Sequence, residues 1–166
     1  MKTLYLVRHA KSSWKHPELS DTERPLNKRG KTDAPFMGKL LKKKKEIPGL
    51  ILSSPAKRAL STAKRFAEEM GINKKKIVVK EDLYMADFED FAGVISESED
   101  NNSSLMIISH NPGLTSFAGY ISDSNIDNIP TAGAVRIDFD IDSWKDIKDR
   151  KGKLIFFEYP KKHAEE

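Results

Sequence analysis

Short apolar runs rich in β-branched residues alternate with helical patterns along this chain. The runs are TLYLVRH (Thr3–His9), GLILSS (Gly49–Ser54), KIVVKE (Lys76–Glu81) and SLMIISH (Ser104–His110). Their near-continuous apolarity predicts strands covered on both faces, as in a parallel sheet. Between them the apolar period changes to that of a helix. Ala56, Ala59, Leu60, Ala63, Phe66, Ala67 and Met70 make one face, with Ser54 as the expected cap, Pro55 in the first turn and Gly71 as the stop. Leu114, Phe117, Ala118 and Ile121 repeat the pattern, and Phe88, Phe91, Ala92 and Ile95 predict a shorter helix. The segment from Lys28 to Lys45 reads as helical, although Pro35 blurs its start. The chain closes differently. AVRIDFDI alternates, with Val135, Ile137, Phe139 and Ile141 on one face, and KLIFFEYP follows after a polar connection. These predict a terminal strand pair, read as antiparallel. The fold class is α/β, a layered α/β/α arrangement around a mostly parallel central sheet.

Composition narrows this picture. At 166 residues, with 38% hydrophobic and 33% charged, the chain fits one domain over residues 1–166. It has no cysteine, so disulfides, thiolate nucleophiles and thiolate metal sites are excluded. No segment reads as a signal peptide core or a membrane span, and a cytoplasmic location is the expectation. The net charge of +4 favours anionic ligands without identifying one. The runs Lys42–Lys45 and Lys74–Lys76 read as a solvated helix end and a loop. No aromatics interleave with them, so nucleic acid is not an expected partner.

Sites in open α/β sheets gather beyond the carboxyl ends of the strands. Here the first strand delivers Arg8 and His9. The second leads into SSPAKRALSTA, placing Arg58 in the first turn of a helix. The fourth delivers His110, followed by Asn111, Pro112 and Gly113. A histidine at a strand end is often structural, and an arginine near a helix start is often solvated. Beside the positive helix end, however, Arg58 is better explained by a nearby anion.

Taken together, these residues resemble the histidine phosphatase, or phosphoglycerate mutase-like, superfamily. Arg8 and His9 match its Arg-His pair, Arg58 its second arginine after an SSP turn, and His110 its second histidine. RHAKSSW, RPLNKRG, SSPAKRALSTA, SHNPGL and PTAGAV, in this order, look most like the SixA-type phosphohistidine phosphatases. The resemblance implies the phosphoglycerate mutase-like fold and a metal-independent hydrolase without a cofactor. One nitrogen of His9 would attack phosphorus and form a transient phosphohistidine. Arg8 and Arg58 would fork onto the non-bridging oxygens, and His110, if protonated, would add a donor. The residues themselves offer no HExxH or closely spaced ligand pair for a metal.

One departure matters. Many members of the family carry an acid just after "LY", and DLYMAD places Met85 there. Asp21 is the candidate general acid, with a loop or cap role as the alternative. Asp87 and Glu89 are explained by a helix start. Ser12 and Ser13 are candidate phosphate donors, with a plain loop role as the alternative. Asn111 offers its backbone N–H to phosphate or caps the following helix. Trp14 either lines the groove or packs beneath the loop. His16 and His163 are assigned nothing, the first as exposed and the second as part of a charged tail. Without a strong acid, the better leaving group is the imidazole of a phosphohistidine, so the expected substrate is a phosphorylated protein. The alternatives are a phosphatase for small phosphorylated metabolites and a phosphate-binding module without turnover.

Overall fold

A computed structural model describes residues 1–164 of the chain. The elements are β1 (Lys2–Arg8), α1 (Lys28–Lys43), β2 (Leu50–Ser53), α2 (Lys57–Met70), β3 (Ile77–Val79), α3 (Phe88–Ser96), β4 (Ser104–Ser109), α4 (Gly113–Ile121), β5 (Ala134–Phe139) and β6 (Lys153–Glu158). They build one six-stranded sheet in the order β3-β2-β4-β1-β5-β6. β1 to β4 are parallel, β5 runs antiparallel to β1, and β6 runs antiparallel to β5. The architecture is the mostly parallel α/β sheet that the apolar runs predict, with the antiparallel pair at one edge.

Alternation explains the layers. Leu4 and Leu6 of β1, with Leu105 and Ile107 of β4, face a core shared with α3 and α4. Tyr5 and Val7, with Met106 and Ile108, face the opposite core, shared with α1 and α2. Successive side chains of a strand point to opposite faces, so a strand buried on both sides must be apolar throughout. Phe66 of α2 is fully buried in the second core. Its truncation to alanine should cost about 3–5 kcal/mol, from lost transfer energy and the cavity left behind.

Register puts the strand ends in line. Arg8 pairs with Ser109, and Ser53 pairs with Ile108. Beyond the strands, the His9 backbone N–H donates to Ser109 O (3.1 Å) and that of Ser54 to Ile108 O (3.0 Å). The residues that follow β1, β2 and β4 therefore emerge side by side. Two glycines let neighbouring loops close on this edge. A side chain at Gly30 would strike the carbonyl of Lys11, and one at Gly113 would strike that of Ala86.

Two local expectations change. α1 starts at Lys28, with the Asn27 side chain accepting from Gly30 N (2.8 Å), and runs straight through Pro35. The proline removes one hydrogen bond without ending the helix, whose buried face of Ala34, Met37, Gly38 and Leu41 holds it in place. Ser54 does not cap α2. Ala56 stands at that position without a side-chain cap, and the Ser54 hydroxyl is engaged elsewhere. Gly71 does end α2, in the left-handed conformation (φ 71°). No described helix is long and apolar enough to cross a membrane.

Candidate active site

The strand ends meet in a cleft of about 530 Å³ lined by Arg8, His9, Lys11, Ser12, Trp14, Asp21, Arg24, Arg58, Tyr84, Met85, His110, Asn111 and Thr131. Arg8, His9, Arg58, His110, Asp21, Ser12 and Asn111 all line it, and Ser13 does not: its hydroxyl accepts from Lys15 N (3.1 Å). His9, Arg58 and His110 are buried, while Arg8 is half-buried.

His9 is held at one nitrogen. Its Nδ1 donates to the carbonyl of Ala10 (2.7 Å), so the proton sits there and Nε2 keeps its lone pair. Burial pushes its pKa down to about 4; the bond to Ala10 opposes this, and Arg58, Arg8 and Arg24 add to it. The imidazole is therefore neutral at pH 7, which is the form a nucleophile needs. The loop ahead of β5 supports this end of β1. Ala132 N donates to the carbonyls of Arg8 (3.0 Å) and His9 (3.1 Å). Thr62 of α2 accepts from Ala10 N (2.9 Å) and donates to Arg58 O (2.8 Å), tying the histidine's loop to the arginine's helix.

The cations are only partly paired. Arg8 donates through Nη1 to Ile129 O (3.2 Å), and burial lowers its pKa from the ordinary value. Arg58 donates to the carbonyl (2.6 Å) and the carboxylate (2.9 Å) of Asp21. Among the described residues, the buried side-chain nitrogens without a hydrogen-bond partner are Arg8 Nε, Arg58 Nε and His110 Nδ1. Buried polar groups are nearly always paired, and all three of these nitrogens belong to residues that line the cleft.

His110 lies with its ring centroid 5.1 Å from that of His9 and 5.5 Å from that of Tyr84. Burial, then the proximity of His9 and Arg58, pushes its pKa down to about 3. The expectation of a protonated His110 is thus revised for the unliganded protein: its donor there is a neutral N–H. A bound phosphate would favour the charged form.

Asp21 reaches the cleft from a short 3-10 turn, residues 21–23, but not as a proton donor. Its Oδ2 accepts from Tyr84 Oη (2.5 Å) and from Arg58, and its Oδ1 accepts from Arg24 Nε (3.2 Å). The Tyr84 bond, outweighing some burial, and the Arg58 pair bring its pKa down to about 2. Such a carboxylate is ionised at any working pH, and its geometry is that of an anchor for Arg58. The same bond raises the pKa of Tyr84. Met85, the residue in place of the expected acid, sits at the rim in a left-handed conformation (φ 54°) and is 73% exposed.

The remaining candidates divide. Ser12 is buried and its hydroxyl accepts from Arg24 Nη1 (2.7 Å), which leaves its own proton to give. Asn111 spends its side chain on structure: it donates to Ile129 O (2.9 Å) and Asn128 Oδ1 (3.1 Å) and accepts from Thr115 N (3.2 Å). That is the capping alternative, extended to brace the 128–129 loop. Trp14 is not packed beneath the loop. It is exposed, with the Arg24 guanidinium 3.6 Å above its ring. Asp87 caps α3 in a capping box with Asp90, and Glu89 pairs with Lys148 (2.6 Å). His16 is exposed beside Glu18 (3.5 Å). His163 is no loose tail residue, since it bonds the buried Glu158 and lies against Phe36. Sequence reasoning missed Arg24, Tyr84, Thr62 and the engagement of Ser54 with His110. Arg24 stood inside RPLNKRG without a role, and Tyr84 stood beside the substituted Met85.

A second, roomier groove of about 700 Å³ opens beside the cleft and shares Met85, His110 and Asn111 with it. Its walls include Phe88, Pro112, Phe117 and Tyr120, and it contains neither His9 nor the arginines. Among the described residues no cluster of three histidine, aspartate or glutamate side chains could hold a metal ion.

Comparison with known proteins agrees with this geometry. Residues 4–129 match the histidine phosphatase superfamily (branch 1). An uncharacterised chloroplastic protein of Arabidopsis thaliana is 30% identical over 153 residues, covering 87% of this chain and 70% of that protein. A crystal structure assigned as the phosphohistidine phosphatase SixA of Agrobacterium tumefaciens superposes with a TM-score of 0.82 at 28% identity, covering 96% of this chain and 98% of that one. The protein histidine phosphatase SixA in complex with tungstate gives the same TM-score of 0.82 over the same shares, 96% and 98%, at 18% identity, a likeness of fold.

Proposed function

This chain belongs to the histidine phosphatase superfamily, and on that premise we propose that it is a phosphatase with His9 as nucleophile, acting on phosphohistidine in a protein. The observation that carries the reading is the meeting of two arginines and a second histidine, Arg8, Arg58 and His110, in one cleft with a neutral His9. A phosphoryl group supplies the negative charge that such a cationic cleft favours.

The Nε2 lone pair of His9 attacks phosphorus. The bond from phosphorus to the leaving nitrogen breaks and its electron pair goes to that nitrogen; with the far nitrogen already protonated, the imidazole leaves neutral and takes no further proton. Arg8 and Arg58 spread the charge on the non-bridging oxygens, and His110 donates to them. Water then attacks the phosphohistidine and gives a proton to solvent, and the P–N bond breaks, returning its pair to His9. Asp21 holds Arg58 in place, with Tyr84 and Arg24 holding Asp21. Ser12 is a further donor to phosphate. The whole of residues 1–166 is read as one domain, since β5 and β6 continue the same sheet beyond the matched region.

The leaving group decides the substrate class. An alkoxide is a poor leaving group and needs an acid, and neither Met85 nor the ionised Asp21 supplies one. An imidazole can be protonated on its far nitrogen beforehand and leaves readily. The SixA assignment of the Agrobacterium protein, at 28% identity, supports the same reading, and a cytoplasmic location is part of the proposal. The test is a panel of a phosphohistidine-bearing protein, an aryl phosphate and a sugar phosphate. Phosphohistidine should exceed the sugar phosphate in kcat/KM by on the order of a hundredfold, the usual worth of acid catalysis. Equal rates would give first place to the small-metabolite reading, and no turnover of any substrate would leave a phosphate-binding module.

A further inference from the structure

We propose that a lysine-rich pocket between α1 and α2 is a docking site for an acidic surface of the phosphorylated protein substrate. The proposal rests on the proposed action on a protein and gives that partner a charge.

The pocket, of about 370 Å³, is walled by Lys57, Lys64, Arg65 and Glu68 of α2, with Lys31 of α1 and Lys74 of the short turn beyond α2. Residues 57, 61, 64, 65 and 68 recur at intervals of three and four, so they share one face of the helix. Five cations stand against one carboxylate. That excess of four is as much net charge as the +4 of the whole chain. All five cations are exposed, and the lysine and arginine ion pairs of the described residues use other side chains. Glu68 follows Lys64 by four positions and Arg65 by three, the weaker order for a helical pair, and it bonds neither. The pocket thus holds like charges together with nothing of this chain to neutralise them.

Its place is beside the cleft. Pro25 and Leu26 complete the lining and directly follow Arg24, and Lys57 directly precedes Arg58; both arginines line the cleft. A protein that presents a phosphohistidine to His9 would lay its surface across this neighbouring face. On the opposite side of the sheet, the groove has Asp87 and Glu89 as its charged walls and no cation. The excess of positive charge beside the cleft is therefore on the α2 side, where it attracts an acidic surface and orients it. A concave wall of one sign focuses the field and speeds encounter with the complementary partner. Nucleic acid fits less well, because the lining has no aromatic ring on which a base could stack.

The test uses the full-length protein and two labelled peptides with a single histidine, one flanked by glutamates and the other by glutamines in their place. Fluorescence anisotropy of the unphosphorylated peptides at low salt should show the acidic one binding about five- to tenfold more tightly, a gap that closes at high salt. A Lys64→Gln, Arg65→Gln, Lys74→Gln protein should bind the two alike. A Lys42→Gln, Lys43→Gln, Lys45→Gln protein loses the same charge elsewhere and should keep the gap. All six side chains are exposed, so both variants should fold. Equal binding of the two peptides by the wild type, or equal loss of the gap in both variants, would overturn the proposal. So would a single-stranded oligonucleotide of the same charge that bound more tightly than the acidic peptide through Lys64, Arg65 and Lys74. With both peptides phosphorylated on histidine, the acidic one should show the lower KM at equal kcat. Discrimination in binding without turnover of either peptide would refute the proposed function and leave the docking site standing. Turnover of both without discrimination would do the reverse.

Discussion

The cleft around His9 and the groove beside it meet at Met85, His110 and Asn111, yet they are built on different principles. The cleft is cationic, and its key side chains are fixed by backbone partners: His9 by Ala10, Arg8 by Ile129, Arg58 by the Asp21 carbonyl. The groove is apolar and its rim is open. Met85 is 73% and Tyr120 67% exposed, and Phe88 stands edge-on to Tyr120 at 4.8 Å. A preorganised cationic site serves any phosphoryl group, because it answers charge that every substrate shares. An open apolar wall answers only what is attached to that group. On the proposed function, the cleft would set the reaction and the groove the preference among substrates. The division predicts that cleft substitutions act on all substrates alike and groove substitutions act selectively.

The largest effect on a single donor should come at Arg58. Arg58→Ala is expected to lower kcat/KM by about a hundredfold to a thousandfold. The loss should be equal for phosphohistidine, aryl and sugar phosphates. A loss confined to one of them would break the distinction.

Met85 lies on the boundary and sharpens it. Met85→Glu should raise activity on sugar phosphates, by on the order of tenfold, and change phosphohistidine turnover little. Asp21→Asn should depress both substrates in similar proportion, about tenfold, because it loosens Arg58. If Asp21→Asn spared phosphohistidine and crippled the sugar phosphate, Asp21 would be a proton donor after all.

In the groove, Tyr120→Ala removes an exposed ring and should leave stability nearly unchanged. A KM increase of a few-fold is expected for a protein substrate and none for an aryl phosphate. An equal change for both would show that the groove does not discriminate.

The gentlest probe is pH. His9 and His110 have pKa values lowered by burial to about 4 and about 3. Unfolded histidines titrate near 6.5. Between roughly pH 6.5 and 4 the unfolded chain thus takes up protons that the folded cleft refuses, so stability falls as pH falls through that window. Urea midpoints at pH 7 and 5 should record the loss, and inorganic phosphate should reduce it by favouring the protonated cleft. A His9→Ala, His110→Ala protein that kept the full slope would place its source elsewhere.

The same contrast governs how much could be read from the chain alone. The strands were legible because they are buried on both faces, which forces uninterrupted runs such as Leu4–Val7 and Leu105–Ile108. Arg8, His9, Arg58 and His110 stand at the ends of such runs or just after a turn, so their convergence followed from the parallel order. Relations across long loops were not legible. Asp21 lies 63 positions from Tyr84 and 37 from Arg58, and nothing local reveals the tyrosine bond and the ion pair that lower the carboxyl's pKa. Ser54 was misread because a serine before a proline is most simply a helix cap, and its bond to His110 spans 56 positions. Pro35 suggested a helix boundary, but buried packing of α1 on both sides of it kept the helix intact. The identity of Met85 was visible and its left-handed backbone was not, since that is imposed by the turn it occupies.

The central claim is that His9 carries the phosphoryl group in a covalent intermediate. The most direct measurement is a rapid quench after brief exposure to a 32P-labelled phosphohistidine protein, followed by peptide mapping. The account predicts acid-labile, alkali-stable label on the peptide containing His9, absent from a folded His9→Ala protein. Label on His110 or on any other residue, or label that persisted in the His9→Ala protein, would contradict it.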